Sequence, residues 1–310
     1  MPQKNVAGEY PMDHRAVSLC EVGPRDGFQF EKNPIPTNRK LAWIRALAAA
    51  GLPRIQVTSF VHPNWVPQMA DAEDVAAALL AGDGGLPASC TVSGLALNAR
   101  GVARAVAAGL PIVDLSIATN EQHGRDNANM TVDEGVVQAE AMLTDVVEAG
   151  VPAQLGFQTV WGYAAPGDTP LGTIIDLVRR FSTFDLESIS LADSTGMANP
   201  DSIRRTVDAV RAETDAPLVL HLHDTRGMGI ANIVAALDVG VRRFDTSLGG
   251  LGGCPFIPGA TGNVATEDVA YAVSELGYTT GIDLSAVAAV SREVSGFLGR
   301  PLSGRMYSLV

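Results

Sequence analysis

The stretch from Ser188 to Thr225 reads SISLADSTGMANPDSIRRTVDAVRAETDAPLVLHLHDT and contains one complete repeating unit of the chain. Two short apolar runs, Ser188–Asp193 and Leu218–His223, flank a longer amphipathic segment. Asn199 followed by Pro200 is a typical helix start, because Asn caps free backbone N–H groups and proline fits the first helical position. A strand, a helix and another strand in this order predict a βαβ unit with parallel strands.

The same alternation runs along the chain with a period of roughly 30–40 residues, the size of one strand–helix pair. Helical patterns cover Thr37–Ala50, Thr131–Ala149, which opens with a capping-box sequence, and Ser285–Leu298. The six other strand candidates are Ala16–Val22, Arg54–Phe60, Ala88–Leu95, Ile112–Ala118, Ala153–Val160 and Arg243–Leu248.

Eight such pairs predict an α/β fold, a closed (β/α)₈ TIM barrel. A doubly wound open sheet is the structural alternative, and we favour the barrel because no GxGxxG motif follows the first strand. We expect a single domain over residues 1–310. The barrel would span about 16–278, and a short C-terminal helix and tail about 283–310.

Composition narrows the class of protein. The chain has 310 residues, 46% of them hydrophobic, which argues against global disorder, and a net charge of −12, which argues against a nucleic-acid partner. It contains no long apolar run, so we expect no membrane partner, and residues 1–17 lack the apolar core of a signal peptide. Three cysteines without a CxxC pair favour a cytoplasmic location. We also expect a homodimer or a higher homo-oligomer.

Chemistry in a TIM barrel lies at the carboxyl ends of the strands. His221 and His223 are two residues apart at such an end, so both rings point to the same side of the strand. With Asp26 from the end of the first strand they would form a His₂–carboxylate set with open positions for a divalent cation. The alternative is a pair of structural histidines. Arg25 either pairs with its neighbour Asp26 or stabilises an oxyanion.

The segment from Gly249 to Asn263 is rich in glycine and contains Cys254. It is either a flexible, phosphate-binding loop or a mobile catalytic loop, and a cysteine beside a metal site favours the second reading. Cys20 and Cys90 fall inside predicted strands and are expected to be inert.

Through these motifs the chain resembles the hydroxymethylglutaryl-CoA lyase family over nearly its full length. The resemblance implies a TIM barrel and a divalent-metal-dependent lyase. Such an enzyme cleaves a 3-hydroxy-3-methyl acyl-CoA by retro-Claisen chemistry, with hydroxymethylglutaryl-CoA giving acetyl-CoA and acetoacetate. The motifs that carry it are VGPRDG at 22–27, TSFVHPNWVPQMAD at 58–71, SLADSTG at 190–196, HLHDTRG at 221–227 and GGLGGCPFIPGATGNVATEDV at 249–269.

The resemblance also implies a role for each matching residue. It implies that Arg25 supports the thioester-derived enolate, that Asp193 is an acid near the metal, and that Cys254 assists proton transfer. Gln56, Asn127 and Tyr163 are substrate-binding candidates, with Asn127 in a segment similar to one near the CoA moiety. The implied cofactor is Mg²⁺ or Mn²⁺, and its implied ligands are Asp26, His221, His223 and Asn263.

The chain departs from the family pattern near the substrate. Gln56 replaces a Glu of the second strand, the run Gln158–Tyr163 differs from the family's fifth strand, and His62 replaces a small residue. Gln cannot act as a base. Two alternatives therefore stay open, a sister enzyme such as (R)-citramalyl-CoA lyase, which gives acetyl-CoA and pyruvate, and a non-catalytic CoA-binding relative. Gln56→Glu is expected to raise activity on hydroxymethylglutaryl-CoA and to lower it on a different native substrate.

Overall fold

The computed structural model describes residues 15–82, 84–253 and 261–310. Eight parallel strands form a closed barrel in which each strand pairs with its neighbours in chain order and β8 returns to β1. This confirms the predicted TIM barrel. The strands are β1 (Ser18–Glu21), β2 (Arg54–Ser59), β3 (Thr91–Ala96), β4 (Ile112–Ala118), β5 (Ala153–Gln158), β6 (Ser188–Asp193), β7 (Leu218–Leu222) and β8 (Arg243–Thr246).

Helices connect the strands around the outside of the barrel. The helices are α1 (Thr37–Ala49), α2 (Ala72–Leu80), α3 (Ala99–Ala107), α4 (Glu121–Ala128), α5 (Val132–Glu148), α6 (Leu171–Phe181), α7 (Pro200–Arg211), α8 (Gly229–Asp238), α9 (Thr266–Glu275) and α10 (Leu284–Leu298). No helix in the described part of the chain combines the length and apolar character needed to cross a membrane.

Local sequence signals set the helix starts where they were expected. The side chain of Asn199 accepts a hydrogen bond from the backbone N–H of Ser202, and Pro200 is the first residue of α7. Thr131 and Glu134 form the predicted capping box at the start of α5. Each cap satisfies backbone N–H groups that the first turn leaves without partners.

Charged side chains lie inside the barrel, below the carboxyl ends of its strands. Arg54 of β2 donates to Asp114 of β4 at 2.5 Å and to Glu187, just before β6, at 2.9 Å. Arg243 of β8 donates to the other oxygen of Glu187 at 3.0 Å. Because these side chains come from four sides of the barrel, they meet across its lumen, towards the amino-terminal ends of the strands, where the Arg243 side chain is 43% exposed. Cys20 lies in β1 as expected, whereas Cys90 precedes β3 by one residue.

The C-terminal tail packs against the turn that follows β8. The backbone N–H of Gly304 donates to the carbonyl of Gly249 at 2.8 Å, and the Ser303 hydroxyl donates to the carbonyl of Gly250 at 2.8 Å. Gly249 has φ +57°, and a Cβ there would lie 2.2 Å from the side chain of Leu302. Only glycine allows this approach, which places the tail beside the carboxyl ends of the strands.

Candidate active site

The first strand ends in a tight turn that presents Arg25 and Asp26 to the barrel mouth. The turn is a short π-helical segment, Gly23–Gly27, in which the carbonyl of Val22 accepts from the N–H groups of Arg25 and Asp26. A Cβ at Gly23 would lie 2.6 Å from a carboxylate oxygen of Glu21. Glycine is therefore required at Gly23 for the turn to close over that buried carboxylate.

His221 and His223 lie at the end of β7 with their rings on the same side, as the spacing predicted. Their Nε2 atoms are 3.2 Å apart, and Nε2 of His221 lies 3.9 Å from Oδ2 of Asp26. One ligand atom from each of the three residues lies within 4.8 Å of the others. This cluster of Asp26, His221 and His223 is the candidate metal centre.

Asn263 is brought to the same place by pairing between its segment and the end of β7. The N–H of Val264 donates to the carbonyl of Leu222 at 3.0 Å, so Asn263 stands opposite His223. Nδ2 of Asn263 donates to Oδ2 of Asp26 at 2.6 Å. Its buried Oδ1 has no hydrogen-bond partner among the described residues. An unpartnered amide oxygen beside a carboxylate and two imidazoles fits a fourth ligand to a divalent cation.

The electrostatics of the cluster favour the metal-binding forms of His223 and Asp26. Burial and the neighbouring His221 lower the pKa of His223 to about 3. Burial opposes the charge on Asp26, but Arg25 and the two imidazoles hold the pKa of that carboxyl below its ordinary value. Asp245 of β8 lies 3.2 Å from Nδ1 of His221 and orients the ring. Neutral imidazoles and an ionised carboxylate are the forms that bind a metal.

Arg25 lies beside the candidate metal centre and is held from two directions. Nη1 donates to Oδ1 of Asp26 at 2.6 Å, and Nε donates to Oε1 of Gln56. Nη2 donates no hydrogen bond to any described residue. The ion pair with Asp26 was one of the two sequence-based interpretations. It leaves a guanidinium N–H group for an oxygen of a bound molecule.

Asp193 lies at the carboxyl end of β6 and is almost completely buried. Its oxygens accept from the backbone N–H groups of Met197 at 2.8 Å and Ala198 at 3.0 Å. Burial outweighs these hydrogen bonds and raises the pKa of Asp193 to about 6. A carboxyl group with this pKa exchanges a proton near neutral pH, as general acid–base work requires.

The remaining predicted residues lie in three different places: at the rim of the barrel, inside β2, and outside the described residues. Asn127 is exposed on α4, and the Tyr163 hydroxyl donates to Asp126 of the same helix at 2.9 Å. Gln56, in contrast, is buried in β2 and contacts Arg25. Cys254 lies outside the described residues, so its predicted role stays a prediction.

A cavity of about 250 Å³ opens beside Asn263. Ser303 and Arg305 of the C-terminal tail line it together with Gly250 and Thr261. The tail therefore forms one wall of this cavity, and Asn263, which contacts Asp26, lines the same cavity.

Three buried carboxylates of this region were not singled out from the sequence. Asp114 accepts from Gln56, Asp245 contacts His221, and Glu21 holds the turn that carries Asp26. Asp114 lies in a mostly apolar strand, Asp245 lies in the short strand RFDT, and Glu21 ends β1 directly before the VGPRDG motif without being part of it. The available signal was the cost of burying an isolated charge, which makes an acidic residue within a strand a candidate for pairing.

The fold and the site define a parallel (β/α)₈ barrel with a candidate divalent-metal centre at the catalytic end of its strands. Comparison with known families narrows this class. Residues 16–294 match the HMGL-like family, and the chain belongs to that family.

Individual relatives cover almost the whole chain. Hydroxymethylglutaryl-CoA lyase of Bacillus subtilis is 36% identical over 94% of this chain and 96% of its own length. (R)-citramalyl-CoA lyase of Chloroflexus aurantiacus is 37% identical over 93% of this chain and 92% of its own. The solved structure of a hydroxymethylglutaryl-CoA lyase of Acinetobacter baumannii, in complex with coenzyme A and 3-methylmalate, superposes with a TM-score of 0.88. It is 34% identical and covers 96% of this chain and 95% of that one.

Proposed function

We propose that this protein is a divalent-metal-dependent carbon–carbon lyase that cleaves hydroxymethylglutaryl-CoA to acetyl-CoA and acetoacetate. The observation that carries the proposal is the convergence of Asp26, His221, His223 and Asn263 beside Arg25. Family membership and the names of the relatives, which are lyases of acyl-CoA thioesters, support the substrate class.

We propose Mg²⁺ or Mn²⁺ as the cofactor, bound by Asp26, His221, His223 and Asn263. The unpartnered Oδ1 of Asn263 and the paired Nε2 atoms of the histidines support this ligand set. When bound, the cation supplies Lewis-acid chemistry, which lowers the pKa of a substrate hydroxyl.

The protein's own groups then serve the bond cleavage. Removal of the tertiary hydroxyl proton lets the C2–C3 bond break, and its electron pair moves into the thioester carbonyl as an enolate. We propose that the Arg25 N–H group that has no partner among the described residues donates to that enolate oxygen. A proton then returns to C2 and gives the methyl group of acetyl-CoA. Asp193, with its pKa near 6, and Cys254 are our candidates for these two proton transfers.

A second candidate substrate is (R)-citramalyl-CoA, which would give acetyl-CoA and pyruvate. The observation that favours it is Gln56, an uncharged side chain in contact with Arg25 where the family has a Glu. In this substrate the carboxylate is attached to the carbon that carries the hydroxyl group. The carboxylate and the hydroxyl would therefore chelate a cation in a smaller ring than in hydroxymethylglutaryl-CoA, whose carboxylate is one CH₂ group further out. The Chloroflexus relative is as similar to this chain as the hydroxymethylglutaryl-CoA lyases are.

The test is incubation of the purified protein with Mg²⁺ and each of the two thioesters, with quantification of the free keto acid. Acetoacetate from hydroxymethylglutaryl-CoA supports the proposal. Pyruvate from citramalyl-CoA alone moves the assignment to the sister enzyme. Release of neither keto acid would favour the non-catalytic CoA-binding alternative and overturn both.

We further propose that the chain forms one TIM-barrel lyase domain. The Tyr163 hydroxyl donates to Asp126, the residue that precedes Asn127 in α4. We propose that Asn127 and Tyr163 contact the acyl-CoA substrate. The homo-oligomer and the cytoplasmic location stay predictions.

A further inference from the structure

Gln56 connects Arg25 at the barrel mouth to Asp114 in the barrel interior. Its Oε1 accepts from Nε of Arg25, and its Nε2 donates to Oδ2 of Asp114. Both Gln56 and Asp114 are buried. An amide has one acceptor end and one donor end, so its orientation decides what it offers to Arg25.

Asp114 has contacts that fix it as an acceptor. Oδ1 accepts from the Arg54 guanidinium at 2.5 Å, and Oδ2 accepts from the Ser93 hydroxyl at 2.7 Å as well as from Gln56. Both oxygens of Asp114 are occupied as acceptors. Gln56 must therefore turn its NH₂ group towards Asp114 and its oxygen towards Arg25.

We propose that Asp114 is a positioning residue for Arg25 that acts through Gln56. Asp114 fixes the Gln56 amide, and the amide oxygen holds the Nε edge of the guanidinium. Asp26 holds the Nη1 corner of the same guanidinium, and Nη2 has no hydrogen-bond partner among the described residues. The catalytic consequence rests on the proposed function, whereas the link between Gln56 and Asp114 does not.

This arrangement changes the expectation for Gln56→Glu. The new carboxylate would stand in direct contact with the carboxylate of Asp114, and like charges at this distance repel strongly in a buried site. The single variant is therefore expected to lose activity on either substrate. The gain predicted from the sequence for hydroxymethylglutaryl-CoA requires a second change that removes the charge at Asp114.

Asp114→Asn is that second change, and by itself it has the opposite defect. Arg54 donates only, so it attracts the oxygen of the new amide and turns the amide nitrogen towards Gln56. Gln56 then has to reverse, which places its NH₂ group against the N–H of Arg25. In the double variant Gln56→Glu/Asp114→Asn the charge and the amide have exchanged places, so Arg25, Arg54 and the new NH₂ group all face acceptors, and the Ser93 hydroxyl changes from donor to acceptor of that NH₂ group.

The experiment is a double-mutant cycle on the full chain with Gln56→Glu, Asp114→Asn and their combination. Each single change is expected to lower kcat by roughly 10- to 100-fold with little change in KM, as for other residues that orient a catalytic group. The double variant is expected to regain most of that loss. Ser93→Ala is the control, because it removes a different donor to the same Asp114 oxygen, and we expect kcat within about 2- to 3-fold of wild type.

Urea unfolding of the wild type, the two single variants and the double variant provides a readout that does not depend on activity. The urea midpoint of the double variant is expected to lie above the value obtained by adding the two single shifts. If a single variant fails to fold, folding of the double variant gives the same answer. Additive effects on both kcat and the midpoint would overturn the proposal. Inactivity of the wild-type protein on all thioesters would instead refute the proposed function, and the urea cycle would still test the link.

Discussion

At the scale of single residues, the candidate metal centre depends on how each imidazole is held. His221 contacts Asp245 through Nδ1 and turns Nε2 towards His223 and Asp26. A carboxylate behind a ligating histidine fixes its tautomer and raises its basicity. His223 has no such support among the described residues, since its buried Nδ1 lacks a partner there. The two histidines are therefore expected to contribute unequally.

The first prediction concerns metal affinity. His221→Ala removes a ligand and should abolish detectable Mn²⁺ binding by titration calorimetry, with the barrel still folded by circular dichroism. Asp245→Asn keeps the ligand but loses its orienting carboxylate, so we expect affinity to fall by roughly 10- to 100-fold. His62→Ala, at an exposed loop position, is the matched control and should bind as wild type does. Undiminished binding by His221→Ala would exclude this residue as a ligand.

At the scale of elements, Glu21 joins three segments that frame the site. Its Oε1 accepts from the N–H groups of Gly23 at 2.7 Å and Leu248 at 2.9 Å, and its Oε2 accepts from the Thr266 hydroxyl at 2.7 Å. These contacts link the end of β1, the turn after β8 and the start of α9. Burial nevertheless raises the pKa of Glu21 to about 8, because three hydrogen bonds do not replace the water that it loses.

The second prediction follows from that raised pKa. The folded protein holds a proton on Glu21 that the unfolded chain releases above about pH 4.5, so this group's contribution to stability is lost as pH rises towards 8. The contribution of Glu21 to the free energy of unfolding should fall with a slope of up to ~1.4 kcal/mol per pH unit over that window, whereas the lowered pKa values of His123 and His223 act in the opposite direction up to about pH 6.5. Glu21→Gln, which has no proton to lose, should flatten the slope in urea titrations from pH 5.5 to 8.5 with chelator present.

Asp193 and Glu267 also have raised pKa values, so part of the slope should persist in that variant. Glu134→Gln is the control, because the pKa of this exposed carboxylate is lowered by Thr131 and it is ionised in both states throughout the window. An unchanged slope in Glu21→Gln would mean that Glu21 is already ionised in the folded protein at pH 5.5.

The starts of α5 and α7 could be predicted from the sequence, because the signals that set them are local. The cap at Asn199 and the capping box at Thr131 are decided by residues three positions apart, and both formed as expected. The contact of Gln56 with Asp114 joins residues 58 positions apart and depends on the barrel register, which shifts between Gln56 and Thr58. No local pattern encodes such a pairing, so the interior carboxylates became visible only in the fold.

At the scale of the whole molecule, the candidate metal centre spans the seam where the barrel closes. Asp26 follows β1, His221 and His223 lie at the end of β7, and Asn263 belongs to the segment that pairs beside β7 after the chain has left β8. The β1–β8 pairing joins the first strand of the chain to the last. Ligands from both sides of this seam mean that a bound cation would cross-link the two ends of the barrel.

The third prediction is that a divalent cation stabilises the entire barrel and not only the site. A ligand that binds the folded state alone adds about 2.7 kcal/mol at a concentration of 100 times its Kd. The urea midpoint should therefore rise with Mn²⁺ and fall back when a chelator is added. Far-ultraviolet circular dichroism and the fluorescence of buried Trp43 and Trp161 should report the same shift, because a cation that joins the two ends of the barrel stabilises its closure as a whole. Asp26→Asn, which removes the charged ligand on one side of the seam, should lose the Mn²⁺ response.

If Mn²⁺ left the wild-type midpoint unchanged at saturating concentration, the cluster would not be a metal site. If the fluorescence and circular dichroism midpoints shifted by different amounts, the cation would stabilise only part of the barrel.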